Sequence, residues 1–203
     1  MMDSRGDGDP QLDAFAVDVR DLLDRNVANL YSHLVTRPTG RAVRIAIEAQ
    51  LGELDLPALS LVDLSSVSIL DFSCADEVVA KLLLARRDRV RPHRDVFFVF
   101  TGVKLHHREP ILEVLARHEL TAVAGGEGMG GAFELLGAAA PRQVEVWTRV
   151  ERLGRVPAPR VEEVFPELRE RRTVEELVDR GLIFRHPLRG DLHALRTLLK
   201  ETA

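Results

Sequence analysis

The stretch that decides the fold is residues 63–77, Asp-Leu-Ser-Ser-Val-Ser-Ile-Leu-Asp-Phe-Ser-Cys-Ala-Asp-Glu. Apolar residues alternate with polar ones over 59–67, which is typical of a β-strand with one buried face. Asp71 follows as a turn residue, and a helical pattern begins at Ser73 and extends to about residue 89. The stretch therefore predicts a strand, an acidic turn and a helix in immediate succession.

Ser73 is predicted to be the N-cap of this helix, because it stands three residues before an acidic residue in a Ser-x-x-Asp pattern. Asp76 and Glu77 would then lie in the first turn, where carboxylates suit the partial positive charge of a helix N-terminus. The corner is therefore rich in acidic side chains that we expect to be exposed.

The segments around the corner alternate between helical and strand patterns, which predicts an α/β fold with a layered sheet and flanking helices. The continuous apolar run at 96–100 indicates a strand that is buried on both faces. In chain order, we expect helices at 12–35 and 38–52, the strand at 59–67, a helix at 73–89, the strand at 96–100, a helix at 110–118 and a strand at 121–124.

The corner resembles that of STAS domains, the fold of bacterial anti-sigma-factor antagonists, over roughly residues 36–124. The phosphorylatable antagonists carry Asp-Ser-Ser-Gly there, whereas Asp71 is followed here by Phe72. Residues 73–77 are more similar to divergent STAS-like families, which combine a Ser-x-Ala-Asp-Glu corner with an arginine-rich helix before the central strand. That helix is matched here by Arg37, Arg41 and Arg44. The resemblance implies a fold and a regulatory role, but no reaction.

The segment after residue 143 predicts a second module with three helices, at 144–153, 159–168 and 173–180, followed by a hairpin. This order resembles a winged helix, a small α+β domain. The predicted organisation is thus a disordered lead-in at 1–11, a STAS-like domain at 12–136, a linker at 137–143 and a winged-helix-like module at 144–203.

Composition restricts the class of protein. The 203 residues carry a net charge of −4, and residues 142–203 hold 13 Lys/Arg against 11 Asp/Glu, a surplus that permits a local basic patch but does not by itself indicate nucleic-acid binding. A single cysteine cannot close an intramolecular disulfide. The sequence shows neither a leader pattern nor an apolar run that could cross a membrane, so we expect a cytoplasmic protein.

Two corner residues, Ser73 and Cys74, are candidates for a chemical role as well as for a purely structural one. Ser73 is a candidate phosphorylation site at a helix N-terminus, although three neighbouring carboxylates would repel a phosphate. Cys74 is a candidate nucleophile by the same dipole argument, but the same carboxylates oppose the thiolate, which favours a buried, inert thiol.

Metal and cofactor sites are not predicted. His106, His107, Glu109 and His118 lack the spacing of a zinc motif and are interpreted as solvated loop residues. The glycine-rich stretch 125–131 lacks the Lys-Ser/Thr of a phosphate-binding loop and is interpreted as a hairpin tip. We expect no cofactor and no catalytic constellation, hence no enzyme.

Basic residues around the last predicted helix and hairpin are candidate contacts to DNA phosphates. The acidic residues on the same helix oppose this mode, because they would face the DNA backbone. The candidates are Arg172, Arg180, Arg185, His186 and Arg189.

The function that the sequence favours is protein–protein binding by a regulatory protein, in the manner of an anti-sigma-factor antagonist or signalling scaffold. The expected partner is another protein, such as a regulatory kinase or an anti-sigma-like factor, and a homodimer is the other form of protein contact. A transcription regulator that binds DNA through its C-terminal module is the alternative. The predicted partner-binding or regulatory residues are Asp71, Ser73, Cys74, Asp76 and Glu77.

Overall fold

A computed structural model of the chain describes residues 13–18, 33–52, 57–88, 95–125 and 132–198. The predicted lead-in and nearly all of the glycine-rich stretch lie outside these ranges. Among the described residues, no helix combines the length and the apolar character that crossing a membrane requires.

A central sheet of five strands organises the fold, with the strand order β1-β3-β5-β6-β7. The first four strands are parallel, and β7 returns antiparallel to β6. Strands β2 and β4 pair with each other. The bounds are β1 Asp13–Asp18, β2 His33–Leu34, β3 Ala58–Asp63, β4 Ile69–Leu70, β5 Val96–Thr101, β6 Thr121–Gly125 and β7 Phe133–Gly137. The predicted α/β class and the strands at 96–100 and 121–124 are confirmed.

The predicted helix at 12–35 is wrong over residues 13–18, which form β1 and pair in parallel with β3. The short sequence Asp-Ala-Phe-Ala-Val-Asp fits a strand as well as a helix, and β3 offers an edge of unpaired backbone groups that pairing with β1 satisfies. Residues 33–34 are also a strand. The part of the predicted helix at 19–32 lies outside the described residues.

Strand β3 ends earlier than the predicted strand at 59–67. The Asp63 carboxylate accepts hydrogen bonds from the Ser65 backbone N–H at 2.9 Å and from the Ser65 hydroxyl at 3.0 Å. Such a turn, in which an aspartate side chain binds the backbone two residues ahead, competes with continued strand pairing.

Three helices cover one face of the sheet and share a core with it. The predicted helix at 38–52 is confirmed as α1, with Thr36 as N-cap, Pro38 in the first turn and Gly52 at the end. Helix α3 begins five residues before the predicted start at 110, because His107 Nδ1 accepts a hydrogen bond from the Lys104 backbone N–H. The bounds are α1 Arg37–Leu51, α2 Phe72–Ala75 continuing through Asp76–Ala80 and Lys81–Arg87, and α3 Leu105–Arg117.

The opposite face of the sheet is covered by the C-terminal segment. Side chains from β3, β5 and β6 that point away from the three helices join a second core with C-terminal residues. Phe97 of the sheet meets Phe184 edge-to-face, with ring centroids 5.4 Å apart. The division at 137–143 stays a prediction, but residues on both sides of it share this core.

The C-terminal segment contains three helices and a three-stranded sheet with the order β8-β10-β9. The predicted helix at 144–153 and the predicted hairpin are confirmed. The predicted helix at 159–168 is wrong at residues 165–167, because Pro166 disfavours helical backbone at Phe165, and residue 168 already belongs to the next helix. The bounds are α4 Pro141–Leu153, β8 Arg155–Val156, α5 Val161–Val164, α6 Leu168–Asp179, β9 Phe184–Arg185 and β10 Leu192–His193.

Candidate functional site

The corner between β4 and α2 is organised by Asp71, which is the N-cap of the helix. Its carboxylate accepts hydrogen bonds from the Cys74 backbone N–H at 2.8 Å and from the Ser73 hydroxyl at 2.9 Å. The prediction that Ser73 caps the helix is therefore wrong, and Ser73 lies inside the first turn. An ionised carboxylate is a stronger acceptor for these donors than a hydroxyl.

The hydroxyl of Ser73 is half-buried and occupied by Asp71. A phosphate on Ser73 would stand directly beside the Asp71 carboxylate and would lose this hydrogen bond. Phosphorylation of Ser73 stays a prediction. The position of the Asp71 carboxylate argues against it, because this carboxylate would repel the phosphate.

Cys74 is fully buried, and its thiol donates a hydrogen bond to the Thr36 carbonyl at 2.9 Å. Burial, together with the nearby Asp71 charge, raises the pKa of the Cys74 thiol to about 12. A thiol with so high a pKa stays protonated at neutral pH, so its geometry supports a packing role between α1 and α2.

Asp76 and Glu77 do not form an exposed acidic surface. They are only 7% and 1% exposed, because the π-helical turn of α2 directs both carboxylates toward α1. Successive residues of a regular α-helix point about 100° apart, whereas here both side chains reach the same nitrogen, Nη1 of Arg37. The expectation that these two residues lie exposed on the corner is corrected accordingly.

Four basic side chains surround the two carboxylates. Arg37 Nη1 lies 2.8 Å from Asp76 Oδ2 and 3.1 Å from Glu77 Oε1. The remaining contacts are Arg44 Nε to Glu77 Oε2 at 3.2 Å, His118 Nε2 to Asp76 Oδ1 at 3.0 Å, and the ammonium of Lys81 with Glu77 Oε1. We call Arg37, Arg44, Asp76, Glu77, Lys81 and His118 the ion cluster.

Burial alone would raise the pKa of both carboxyl groups, but the basic neighbours outweigh it. Hydrogen bonds from Arg37 and His118 lower the pKa of Asp76, and hydrogen bonds from Lys81, Arg44 and Arg37 lower the pKa of Glu77. Both groups are thus held ionised in the folded protein.

The corner resemblance had already pointed to the arginines of α1, but the sequence did not connect Lys81 or His118 with the corner. Lys81 could have been found, because it stands four residues after Glu77 on the same helix. His118 could not, because it comes from the end of another helix and reaches Asp76 only through the tertiary fold.

Three basic residues of the ion cluster, Arg37, Arg44 and Lys81, line a cleft of about 670 Å³ between α1 and α2. Arg41, which lies on the same side of α1, is exposed and forms no ion pair among the described residues. The cleft is lined by Arg37, Pro38, Arg41, Ala42, Arg44, Ile45, Glu77 and Lys81.

A second surface feature at the corner is an apolar groove of about 860 Å³ between Phe72 and α3. Phe72 is 47% exposed, so its ring does not pack into the core. Leu105 is 86% exposed, and Ile69 and Leu112 are also exposed. We call this groove, which Phe72, Leu105 and Leu112 line together with Arg108, Glu109, Glu113, Ala116 and Arg117, the corner groove.

Of the four residues expected to be solvated loop residues, His106 and Glu109 are exposed but lie on helix α3, whereas His107 is buried and His118 is half-buried. His107 is fully buried, and burial lowers its pKa to about 4, with help from the neighbouring His106 and Lys104. His118 binds Asp76. In the part of the chain that the structure describes, no group of three His, Cys, Asp or Glu is placed to hold a metal ion.

The candidate DNA contacts of the C-terminal segment are largely engaged within the protein. Arg180 donates to the Thr121 hydroxyl and the Ala138 carbonyl, and burial lowers its pKa. Arg185 forms two hydrogen bonds with Glu175, at 2.6 and 2.7 Å.

The other three candidates lie nearer the tip of the hairpin or on α6. His186 Nδ1 accepts hydrogen bonds from the backbone N–H groups of Leu188 and Arg189, which shapes the turn. Arg172 and Arg189 have exposed side chains. The structure therefore does not bring the five candidates together as one exposed basic surface.

Comparison with protein-family models finds no family that matches this chain. A comparison with curated proteins likewise finds no match.

Proposed function

We propose that this is a non-enzymatic regulatory protein that binds another protein through the corner groove. The observation that carries the proposal is the exposure of three large apolar side chains, Phe72, Leu105 and Leu112, around one depression. Exposed apolar residues are common singly, but a contiguous group around a groove is typical of an interaction site.

The occupant that best fits the corner groove is an amphipathic helix of the partner. Leu105 and Leu112 are seven residues apart, so they lie on the same side of α3 with the charged Arg108 and Glu109 between them, and Phe72 lines the same groove. A helix laid beside α3 would bury Leu105, Leu112 and Phe72 with its own apolar residues at spacings of three and four.

The charged residues that line the corner groove determine which charges the partner helix should carry. Arg108 is neutralised by Glu134, and Arg117 lies 3.6 Å from Glu113. Glu109 forms no ion pair among the described residues, so a basic residue on the partner helix would complement it.

The resemblance to STAS domains supports the class of partner that we propose. A mixed, mostly parallel sheet with three helices packed on one face and an Asp71-capped helix at the corner support this resemblance. By this resemblance, the proposed partner is a regulatory kinase or an anti-sigma-like factor, and the proposed location is the cytoplasm.

The test begins with a photo-cross-linking amino acid at position 105, which captures the partner from native lysate for identification. The identified protein is then purified, and its affinity is measured for wild type and for Phe72→Ala/Leu105→Ala. Because apolar anchors dominate interfaces, we expect the double variant to weaken binding by about thirtyfold or more.

The matched control is Val144→Ala/Leu153→Ala, which removes two exposed apolar side chains from α4. It should leave the affinity unchanged. Equal weakening by both double variants would contradict the proposal, and capture of a second copy of the chain would assign the groove to a homodimer instead.

DNA binding through the C-terminal segment is a second candidate function. The order α4-β8-α5-α6-β9-β10, with β10 antiparallel to both β8 and β9, supports the resemblance to a winged helix. A gel shift at two salt concentrations tests it, because binding through phosphates must weaken steeply with salt. Loss of binding in Arg172→Gln/Arg189→Gln would support this function.

A further inference from the structure

We infer that the cleft between α1 and α2 is a binding site for the phosphate groups of a small phosphorylated molecule. Four basic side chains line this cleft, Arg37, Arg41, Arg44 and Lys81. Its volume of about 670 Å³ suits a small ligand. It shares no lining residue with the corner groove, so the two sites are independent.

Positive charge faces the solvent in this cleft, and negative charge lies beneath it. The side chains of Arg37 and Lys81 are 50% and 38% exposed, whereas that of Glu77 is 2% exposed. Both oxygens of Glu77 are occupied by basic partners, and so are both oxygens of Asp76. An anion entering the cleft therefore meets the basic groups first.

The basic groups retain hydrogen-bond donors for such a ligand. Arg37 uses one terminal nitrogen, Nη1, for both carboxylates, so Nε and Nη2 have no acceptor among the described residues. Arg41 donates to no described acceptor at all. A guanidinium offers five N–H groups in a planar fork that matches phosphate oxygens, so these two residues can hold one phosphate from two sides.

The buried carboxylates have a positioning role in this arrangement. They fix the Arg37 and Arg44 side chains before a ligand arrives, which reduces the side-chain entropy lost on binding. Burying two carboxylates is unfavourable by itself, and π-helical turns occur frequently at functional sites. A ligand site explains why this helix keeps both features at the same place.

The apolar part of the lining indicates that the ligand carries more than phosphate. Pro38, Ala42 and the half-exposed Ile45 form one wall of the cleft. A compact organic body attached to the phosphate groups would pack against this wall, as a nucleoside polyphosphate or a smaller phosphorylated metabolite can.

The experiment is a calorimetric titration of the full chain with pyrophosphate, ATP and adenosine at constant ionic strength. We expect pyrophosphate and ATP to bind and adenosine not to bind. If ATP binds more tightly than pyrophosphate, the apolar wall contributes to the affinity. If the two bind equally, the protein recognises only the phosphate groups. No binding of either phosphorylated probe at about 1 mM, or binding of adenosine alone, would overturn the inference.

Arg41→Gln is the diagnostic variant, because Arg41 is exposed and unpaired among the described residues, so its loss should not unfold the protein. We expect it to weaken pyrophosphate binding by about tenfold, as the loss of a charge-assisted hydrogen bond does. Arg172→Gln, an exposed arginine on α6, is the matched control. An equal effect of the two variants would mean unspecific attraction and would overturn the inference.

Discussion

At the scale of single residues, Asp71 and Glu77 hold the corner together in two different ways. Asp71 caps α2 from the outside, by accepting hydrogen bonds from the backbone of Cys74 and the hydroxyl of Ser73. Glu77 lies inside and joins α1 to α2 through Arg37, Arg44 and Lys81. Both carboxylates act within the protein rather than on its surface.

Replacing Asp71 by alanine should lower the free energy of unfolding by about 1 kcal/mol, because the helix loses its N-cap. Asp71→Asn is the control, since it keeps an acceptor oxygen at the same place and should lose less. Urea denaturation measures both variants. Equal losses would contradict the capping role.

The ion cluster should also make stability depend on pH in the acid range. The pKa of Glu77 is lower in the folded protein than its unfolded value of about 4.3. Its contribution is therefore fully present above that unfolded pKa and is lost as the pH falls through the lower folded pKa. We expect Glu77→Gln to flatten the acid limb of a plot of unfolding free energy against pH.

At neutral pH the same variant should cost on the order of 3 kcal/mol, because the basic partners lose their buried counter-charge. Glu113→Gln serves as the control, since Glu113 is an exposed partner of Arg117 and should change stability little. An unchanged acid limb in Glu77→Gln would contradict the role of the ion cluster.

At the scale of elements, the close approach of α1 and α2 creates both the ion cluster and the cleft. Gly40 of α1 permits this approach, since a Cβ there would lie 2.9 Å from Cys74 Cα and 3.2 Å from Cys74 Sγ. The π-helical turn then places Asp76 and Glu77 opposite the arginines. The ion cluster and the cleft thus depend both on the close contact between α1 and α2 and on the π-helical turn of α2.

Gly40→Ala should destabilise the protein by about 1–3 kcal/mol, because its methyl group overpacks the contact between the two helices. Gly52→Ala is the control. Gly52 has right-handed helical backbone and ends α1, so alanine fits there with little effect. Thermal unfolding of both variants checks this, and similar midpoints would refute the close-packing argument.

At the scale of the whole molecule, one sheet serves two cores. Side chains on one face pack against α1, α2 and α3, and those on the other face pack against the C-terminal segment. Arg86 also bridges the two halves, because its Nε donates to the Val96 carbonyl and its Nη1 donates to the Asp179 carbonyl.

A fragment of residues 1–137 should therefore fail to fold cooperatively. It would expose six buried apolar side chains at about 2 kcal/mol each, on the order of 12 kcal/mol, which is comparable to the whole stability of a typical domain. These side chains are Leu59, Leu61, Phe97, Val99, Val123 and Phe133. A cooperative thermal transition near that of the full chain would contradict this and would favour the predicted boundary at 137–143.

Local patterns determined the elements whose own residues carry a strong signal. The apolar run at 96–100 predicted the strand β5, and the residues Thr36 and Pro38 predicted where α1 begins. The edge of β3 shows where such patterns were insufficient, whereas Pro166 is a local signal that the helix expected at 159–168 left out of account. A neighbouring strand turned 13–18 from the expected helix into β1, and Pro166 shortened the helix expected at 159–168.

The sequence by itself determined the α/β class, the acidic corner and the presence of arginines on the preceding helix, because periodicity and capping act between residues close in the chain. Only the tertiary structure decided that Asp76 and Glu77 are buried, that Phe72 is exposed and that His118 joins the ion cluster. Exposure and ion pairing depend on which distant element covers a side chain, and neighbouring residues in the sequence do not carry that information.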